Sequence, residues 1–369
     1  MRFLATCKMG LESTVTRQLR SLGIEVEQTL DARVIFTGDE DALFRALLWL
    51  RTAERVLMIV KEFEAKTFTE LFDGTEAVDW KRYLRKDSFI HVTGKSAHST
   101  LFSVSDCQSI VKKAIVEKLK KSLRTDTLPE SGPEVIVEAG ILKDHVTLAL
   151  DACGAGLSRR GYRTWNVTAP LSETLGAGIV LLSRYYPDLP LFDPMCGSGT
   201  MPIEAAMIAQ NRAPGLNREF AVQKWAFIDQ NLFARTREEA RDSIRNIPIE
   251  IFGSDIDARC IDICKKHAKK AGVTVNWKVM PLSEFRTDLS GGVLVCNPPY
   301  GERLMEKKEI TALYKEMRRK FDALDRFNVS ILSGVQGFET LYGKRADKQR
   351  KLSNGGMRCR LYQYFREKP

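Results

Sequence analysis

Residues 293–301 read Val-Leu-Val-Cys-Asn-Pro-Pro-Tyr-Gly, and this stretch decides how the rest of the chain is interpreted. Its β-branched start predicts a buried strand, and the prolines predict that the strand ends there because they cannot donate to a sheet ladder. The amide oxygen of Asn297 and the carbonyl of Pro298 can accept both N–H protons of a planar amino group, and the ring of Tyr300 can stack on its π-face. The alternative is a strand that merely ends in a rigid proline turn.

A second segment, 191–200, reads Leu-Phe-Asp-Pro-Met-Cys-Gly-Ser-Gly-Thr and predicts a short strand that enters a tight Gly-x-Gly turn. The Ala-, Ile- and Met-rich stretch that follows predicts a helix, with Pro202 in the first turn, where its missing N–H does no harm. Glycine lets the backbone approach a ligand closely, and Asp193 at the strand end can hold an amine or a water. A dinucleotide site needs a third glycine where Pro202 stands, so that alternative is disfavoured.

A third strand-like segment, 249–257, ends in two carboxylates, Asp255 and Asp257, before a predicted helix at 258–271. An acid at the end of the second strand of a doubly wound sheet grips a ribose diol, and we assign this role to Asp255. Asp257 is predicted mainly to cap the helix, with ribose or adenine contact as a second role. Together the three segments predict a methyltransferase that uses S-adenosyl-L-methionine and acts on a planar amino nitrogen.

The sequence resembles the bacterial THUMP-domain guanine-N2 methyltransferases that act on 23S ribosomal RNA. The resemblance covers nearly the whole chain and rests on the segments FDGTEAVDW (72–80), GLSRRGYR (156–163), DPMCGSGT (193–200), IEAAMIAQNRAPGLNREF (203–220), GSDID (253–257), NPPYGERL (297–304) and KLSNGGMRCRLYQYF (351–365). It implies an α/β fold, with a Rossmann-like class I methyltransferase domain preceded by an α+β THUMP region and a small N-terminal ferredoxin-like unit. The expected domains are 1–51, 52–164 and 165–369.

The predicted cofactor-binding residues follow from these motifs and the resemblance: Asp193, Cys196, Gly197, Gly199, Thr200, Asp255, Asp257 and Ser283. Ser283 is included because the third strand, 275–280, leads into Pro281, where the family places an Asp that holds the adenine amino group. Adenine recognition is then expected to fall to the backbone of Leu282 or to the side chains of Ser283 and Glu284.

Asn297, Pro298 and Tyr300 are predicted to carry the chemistry. Asn297 and Pro298 would accept hydrogen bonds from the amine, favour a more tetrahedral nitrogen and aim its lone pair at the sulfonium methyl, so that catalysis rests on alignment and electrostatics. We expect no metal, no covalent intermediate and no second fused methyltransferase half. The alternatives left open are guanine-N2 methylation of tRNA, adenine-N6 methylation and a non-catalytic RNA-binding assembly factor.

Lysine plus arginine exceed aspartate plus glutamate by 57 − 47 = 10, which favours an anionic partner, and 23S rRNA is the expected one. Three basic clusters are predicted to contact RNA: Lys112 and Lys113 on a helix, Arg159, Arg160 and Arg163 after the THUMP-like region, and Lys344 and Arg345 in a late loop. The arginine cluster is the best candidate because arginine binds phosphate bidentately, whereas a lysine-rich helix face is usually only solvated. The late loop is expected on the catalytic face.

The eight cysteines show no CxxC pair and no zinc spacing, so the sequence predicts neither a disulfide framework nor a metal site. No apolar run approaches the ~20 residues that a membrane span requires, and the start of the chain is too short for a signal-peptide core. These features predict a location in the reducing cytoplasm and no membrane partner. The oligomeric state stays open.

Overall fold

The computed structural model describes residues 1–163, 171–299 and 307–366. Over these residues the chain forms two mixed seven-stranded sheets that are flanked by helices. Within the same ranges, no helix has the length and apolar character needed to cross a bilayer.

The first sheet comes from the amino-terminal part of the chain. Its strands are β1 (Arg2–Cys7), β2 (Glu25–Leu30), β3 (Arg33–Thr37), β4 (Ala53–Glu64), β5 (Phe89–Ala97), β6 (Glu134–Leu142) and β7 (His145–Asp151). Its helices are α1 (Glu12–Ser21), α2 (Glu40–Trp49), α3 (Phe68–Glu76) and α4 (Val104–Leu123). The strand order is β2-β3-β1-β4-β7-β6-β5, and only β5 and β6 are parallel neighbours.

Strand β4 joins the two units that the sequence predicts for this half. It pairs antiparallel with β1 on one side and with β7 on the other. The predicted N-terminal unit and the THUMP region therefore share one continuous sheet. The border expected at residues 51 and 52 falls immediately before β4 and remains a prediction.

The second sheet confirms the predicted Rossmann-like architecture. Its strands are β8 (Leu191–Asp193), β9 (Ile251–Asp255), β10 (Asn276–Val279), β11 (Gly292–Cys296), β12 (Phe327–Ser333), β13 (Lys348–Asn354) and β14 (Met357–Tyr364). Its helices are α5 (Glu173–Leu182), α6 (Thr200–Ala209), α7 (Gln230–Asp242), α8 (Ala258–Ala271), α9 (Lys307–Asp322) and α10 (Phe338–Tyr342). The order is β10-β9-β8-β11-β12-β14-β13, with β8 to β12 parallel and β14 antiparallel to both neighbours.

Strand β11 is buried on both faces, which explains its unbroken apolar sequence. Val293 and Val295 join the core that contains α5 and α6. Leu294 and Cys296 join the core formed with α9 and α10. The strand that carries Asn297 is thus held between two packed layers.

The two halves of the molecule pack closely at the last β-hairpin, β13–β14. A Cβ on Gly10 would lie 2.3 Å from the carbonyl oxygen of Lys351, so this contact requires a residue without a side chain. The Arg350 guanidinium donates to the Gly10 carbonyl at 2.9 Å. One face of the hairpin is therefore covered by the N-terminal unit.

Candidate active site

Three polar residues predicted for the site follow neighbouring parallel strands. Asp193 ends β8, Asp255 ends β9, and Asn297 comes directly after β11. Because β8 lies between β9 and β11 and is parallel to both, all three residues lie at the same carboxyl edge of the sheet. This carboxyl edge is where open α/β sheets bind their ligands.

The Gly-x-Gly turn between β8 and α6 combines an open residue with a closely packed one. Gly197 has a φ of +52°, and a Cβ built there would meet nothing within 4 Å. Gly199 has a φ of +80°, and its Cβ would lie 2.7 Å from the Trp277 ring and 2.9 Å from Cys264 Sγ. Gly199 is therefore required by packing, while Gly197 leaves space that a ligand can occupy.

Asp255 ties this turn to the end of β9. Its carboxylate accepts the Gly197 N–H at 2.9 Å through one oxygen and the Asp257 N–H at 3.0 Å through the other. Each carboxylate oxygen has two lone pairs, so the group keeps acceptor capacity for a hydroxyl ligand. The arrangement fixes the Asp255 carboxylate beside the open side of Gly197.

Asp193 is a buried carboxylate that forms no salt bridge with any lysine, arginine or histidine of the described residues. Its side chain is 1% exposed, and one oxygen accepts the Met195 N–H at 3.3 Å. The other oxygen, Oδ2, finds no hydrogen-bond donor among the described residues. Burial raises the pKa of Asp193 well above its ordinary value, opposed by the Met195 hydrogen bond and reinforced by the charge of Asp255. A positively charged ligand group would satisfy this site.

Asn297 presents the same kind of unfilled acceptor. Its Oδ1 is buried and has no donor within the described part of the chain. Pro298, which follows, is buried. Tyr300, the third residue predicted to carry the chemistry, lies outside the described residues. The Asn297 amide oxygen is thus available to an N–H group at the carboxyl edge.

The side chains of Cys196 and Thr200 make contacts with the protein. Cys196 Sγ lies 3.9 Å from Cys264 Sγ, and this contact together with burial raises the pKa of Cys196 well above its usual range. The Thr200 hydroxyl accepts a hydrogen bond from Arg163 at 2.7 Å. Both side chains are buried and are engaged by other residues of the protein.

Asp257 has the capping role that the sequence predicts first. It is the N-cap of α8, and its side chain accepts the Arg259 N–H at 2.9 Å. The side chain of Arg259 also bonds it and lowers the pKa of Asp257. Between the two acids lies Ile256, a residue that the sequence analysis missed, with 74% of its surface exposed. Its position directly after a strand-end acid is the signal that could have identified it.

Ser283 lies in a short 3₁₀ turn, Leu282–Glu284, that follows Pro281. It lines a cavity of about 790 Å³ together with Asp193 and Phe285. Gly197, Asp255 and Asn297 are absent from this lining. The cavity therefore adjoins the predicted cofactor site at Asp193 and Ser283 without reaching the other three residues.

The prediction that Arg160 binds RNA is wrong. Its side chain is 2% exposed and lies 3.4 Å from Glu204 Oε1, which is itself fully buried. Arg160 also donates to the carbonyls of Leu157, at 2.7 Å, and Arg51. The hydroxyl of Tyr162 donates to Glu204 at 3.2 Å. These groups form a buried polar network, called here the junction, between the amino-terminal half and α6.

Arg163 is also turned into the protein. One guanidinium nitrogen donates to the Leu171 carbonyl and to the Thr200 hydroxyl, each at 2.7 Å. Its Nε lies 3.6 Å from Glu173 Oε1, and the side chain is 14% exposed. Because Thr200 is the first residue of α6, Arg163 anchors the helix that follows the Gly-x-Gly turn. This corrects its prediction as an RNA contact.

The expectation that the loop with Lys344 and Arg345 lies on the catalytic face is wrong. Strand β14 is antiparallel to β12, so the end of β14 points toward the amino edge of the parallel strands. Lys348, the first residue of β13, pairs with Gln363 near that end. The preceding loop therefore lies at the amino edge of the parallel strands, opposite Asn297. Consistent with this, the Lys344 ammonium lies 2.7 Å from the carboxylate of Asp322, the last residue of α9.

Three predicted RNA contacts remain compatible with the structure. Arg159 is exposed and lines a cavity of about 460 Å³ with Arg55 and Lys95. On α4, the Lys113 side chain is 66% exposed, whereas Lys112 lies 3.1 Å from a glutamate and is 40% exposed. These contacts stay predictions.

All eight cysteines are free thiols. Within the described ranges, no group of three or more His, Cys, Asp or Glu side chains is arranged to hold a metal ion.

Comparison with known families divides the chain into three parts. Residues 2–57 match the RlmL ferredoxin-like domain, residues 65–151 match the THUMP domain, and residues 160–363 match the RMKL-like methyltransferase domain. The domain content and order confirm the resemblance seen in the sequence.

Similar proteins extend this result. "Putative RNA methyltransferase YpsC" of Bacillus subtilis is 46% identical over 98% of this chain and 95% of its own length. "Ribosomal RNA large subunit methyltransferase K/L" of Photobacterium profundum is 33% identical over 99% of this chain but only 53% of its own, so this chain spans about half of that relative. Among solved structures, "SMU.472, a putative methyltransferase complexed with SAH" is 42% identical, with a TM-score of 0.94 over 100% of this chain and 98% of that one. The chain belongs to the RMKL-like methyltransferase family.

Proposed function

We propose that this protein transfers a methyl group from S-adenosyl-L-methionine to the exocyclic N2 of a guanine in 23S ribosomal RNA. The observation that carries the proposal is the buried acceptor on Asn297, which has no donor among the described residues. It lies at the carboxyl edge, directly after the strand next to the one that ends in Asp193. One acceptor suits the N–H of an amine substrate, and the other suits the ammonium group of the cofactor.

The residues at the carboxyl edge fit the parts of the cofactor. The unpaired Asp193 oxygen would accept from the α-ammonium of its methionine part, and the open side of Gly197 would let the backbone approach it. The Asp255 carboxylate would accept from the ribose hydroxyls, while the exposed Ile256 side chain offers an apolar platform for the adenine. The similar protein whose structure is complexed with SAH supports the identity of the cofactor.

The chemistry requires the chain to hold a poor nucleophile in the correct geometry. The lone pair of an aromatic amine is delocalised into its ring, so it attacks only when the nitrogen becomes more tetrahedral. The Asn297 Oδ1 and the Pro298 carbonyl would accept its two N–H groups and aim the lone pair at the methyl group. S-adenosyl-L-methionine supplies a methyl already activated by the sulfonium charge. The residues then act through alignment and electrostatics.

RNA is the substrate class that the remaining observations favour. The chain contains a THUMP domain, its formal net charge is +10, and relatives carry the names "RNA methyltransferase" and "Ribosomal RNA large subunit methyltransferase". Because this chain spans about half of the K/L relative, that relative's complete activity is not assumed for it. Guanine-N2 methylation of tRNA, adenine-N6 methylation and a non-catalytic role in RNA binding remain the competing functions.

The experiment is to incubate the protein and S-adenosyl-L-methionine with 23S rRNA and with tRNA, both purified from a strain that lacks its gene. Mass spectrometry of the nucleosides should find new N2-methylguanosine in the 23S rRNA. If N6-methyladenosine is the only new nucleoside, or if only the tRNA is methylated, the proposed substrate is wrong. No methylation of either RNA, with no binding of the cofactor in calorimetry, would favour the non-catalytic role.

A further inference from the structure

The last hairpin carries an unbalanced positive charge. Between Lys348 and Tyr364 the chain has five lysines or arginines and no aspartate or glutamate. Four of these five are exposed, and the alternation of side chains along β13 and β14 places three of the four, Lys351, Arg358 and Arg360, on one face. We call these three residues the hairpin face.

The register of the hairpin opposes like charges directly. Lys351 on β13 is the direct cross-strand partner of Arg360 on β14. Arg358 lies two residues before Arg360 on β14 and is therefore the diagonal neighbour of Lys351 on the same face. Like charges placed opposite each other destabilise a sheet. Within the described ranges, none of the three forms a salt bridge, and Arg360 donates only to the neutral amide of Gln349, at 2.8 Å.

The hairpin is held firmly on its other face, so the charged face cannot turn away. Leu352 and Cys359, whose side chains alternate with the charged ones, are buried in the main core. Arg350 donates to the Gly10 carbonyl of the N-terminal unit. The repulsion on the exposed face is thus built into a fixed element.

This face lies at the same edge of the sheet as Asn297. Ser333, the last residue of β12, pairs with Arg360, while Cys296, the last residue of β11, is level with Ile331 and Tyr362. Arg360 therefore lies two residues beyond Cys296 toward the carboxyl edge. It is also two strands from β11, which is roughly 10 Å at ordinary strand spacing. An RNA strand that presents a base to Asn297 would pass within reach of these side chains.

We propose that Lys351, Arg358 and Arg360 bind phosphates of the RNA strand that flanks the methylated nucleotide. The inference rests on the proposed function for the identity of the polyanion. The hairpin face takes the role that the sequence analysis gave to Lys344 and Arg345, which lie at the opposite edge. Phosphate binding would relieve the repulsion between Lys351 and Arg360 and add charge-assisted hydrogen bonds.

The test compares two double variants with the same loss of charge. Arg358→Gln with Arg360→Gln alters the hairpin face, whereas Lys344→Gln with Arg345→Gln alters the amino edge. Binding is measured by fluorescence anisotropy at several salt concentrations, with a labelled 20-nucleotide single-stranded RNA and with 23S rRNA from the gene-deletion strain. Each phosphate contact contributes about 0.7 to the logarithmic salt dependence of single-strand binding, so the hairpin variant should lose about 1.4 of the slope. The amino-edge variant should lose less than half as much.

Two further readouts separate this inference from others. The hairpin variant should keep the cofactor affinity and should unfold at the same or a higher temperature, because like-charge repulsion has been removed. Equal salt slopes in the two variants would overturn the hairpin role, even if the wild type methylates rRNA normally. A selective loss of slope in a protein that methylates no RNA would keep the hairpin role and remove only the proposed reaction.

Discussion

The junction and the carboxyl edge both bury charged groups, but they balance the charge differently. At the junction, Glu204 faces Arg160, and beside the junction Glu173 faces Arg163, so each of these two buried carboxylates has a protein cation next to it. At the carboxyl edge, the part of the chain that the structure describes gives Asp193 no such partner, and the charge of Asp255 raises its pKa further. The difference teaches that buried carboxylates paired with a protein cation have a structural role here. A buried carboxylate that lacks such a cation indicates a ligand-binding site.

The largest effect should come from breaking the junction. Arg160→Ala leaves the buried Glu204 without its ion-pair partner, with Arg51 as the remaining cation nearby. Removal of one partner of a buried pair typically costs about 3–5 kcal/mol in the free energy of unfolding. Arg241→Ala is the matched control because its pair with Glu238 is exposed, and it should cost below about 1 kcal/mol. Denaturant titration measures both. If Arg160→Ala keeps the stability of the wild type and loses RNA affinity, the sequence-based role of Arg160 as an RNA contact is restored.

A smaller effect is expected at Asp255, on cofactor affinity. Loss of a charged acceptor for a hydroxyl typically costs about 1.5–3 kcal/mol, or roughly ten- to a hundredfold in the dissociation constant. Calorimetry with S-adenosyl-L-methionine should show this loss in Asp255→Ala. Asp257→Ala, two residues away, should lower stability through the lost helix cap and leave the affinity nearly unchanged. A larger loss of affinity in Asp257→Ala would reassign the ribose contact to Asp257.

The smallest effect is expected from removing the carboxylate of Asp193, and it concerns the stability of the ligand-free protein. Because the folded-state pKa of Asp193 is raised above the unfolded value, ionisation of Asp193 destabilises the ligand-free protein as the pH rises from the unfolded-state pKa of about 4 through the raised folded-state pKa. Asp193→Asn should remove this loss, which amounts to about 1.4 kcal/mol for each unit of pKa difference. The variant should therefore melt higher than the wild type at pH 7 without ligand, yet show a smaller rise in melting temperature when S-adenosyl-L-methionine is added.

The expected result would be contradicted by a variant that melts lower than the wild type at pH 7 and still gains the same stabilisation from the cofactor. That outcome would make Asp193 a structural acid, like the carboxylates of the junction. The same titration in the wild type gives a second check, because cofactor binding should weaken as the pH falls through the raised pKa of Asp193.

The sequence predicts the carboxyl edge well because its signals are local. An unbroken apolar run, as in β11, is typical of a central parallel strand, and the residue after it must then lie at a sheet edge. The helix caps are equally local, and Asp257 caps α8 as predicted. Strand β2, by contrast, is mostly polar and exposed, so it carries no hydrophobic alternation from which the sequence could predict it.

The RNA-contact predictions fail where the position of a side chain depends on residues that are far away in the sequence. Arg159 and Arg160 are adjacent in sequence, but only Arg160 meets Glu204, which follows 44 residues later. Lys344 and Arg358 are both basic and lie in the same late region. The register of β13 against β14, and of β14 against β12, sends them to opposite edges of the sheet. Neither fact can be extracted from local composition.

The central claim is that the unfilled acceptor on Asn297 orients the substrate amine. The direct measurement is single-turnover methylation of 23S rRNA from the gene-deletion strain by Asn297→Ala, with Asn328→Ala as the matched control. Asn328 lies in the same sheet, near the start of β12 and thus toward the amino edge. We predict that Asn297→Ala loses about a hundredfold or more in the rate of methyl transfer while it binds S-adenosyl-L-methionine normally, and that Asn328→Ala keeps both. Near-normal single-turnover methylation by Asn297→Ala would contradict the account.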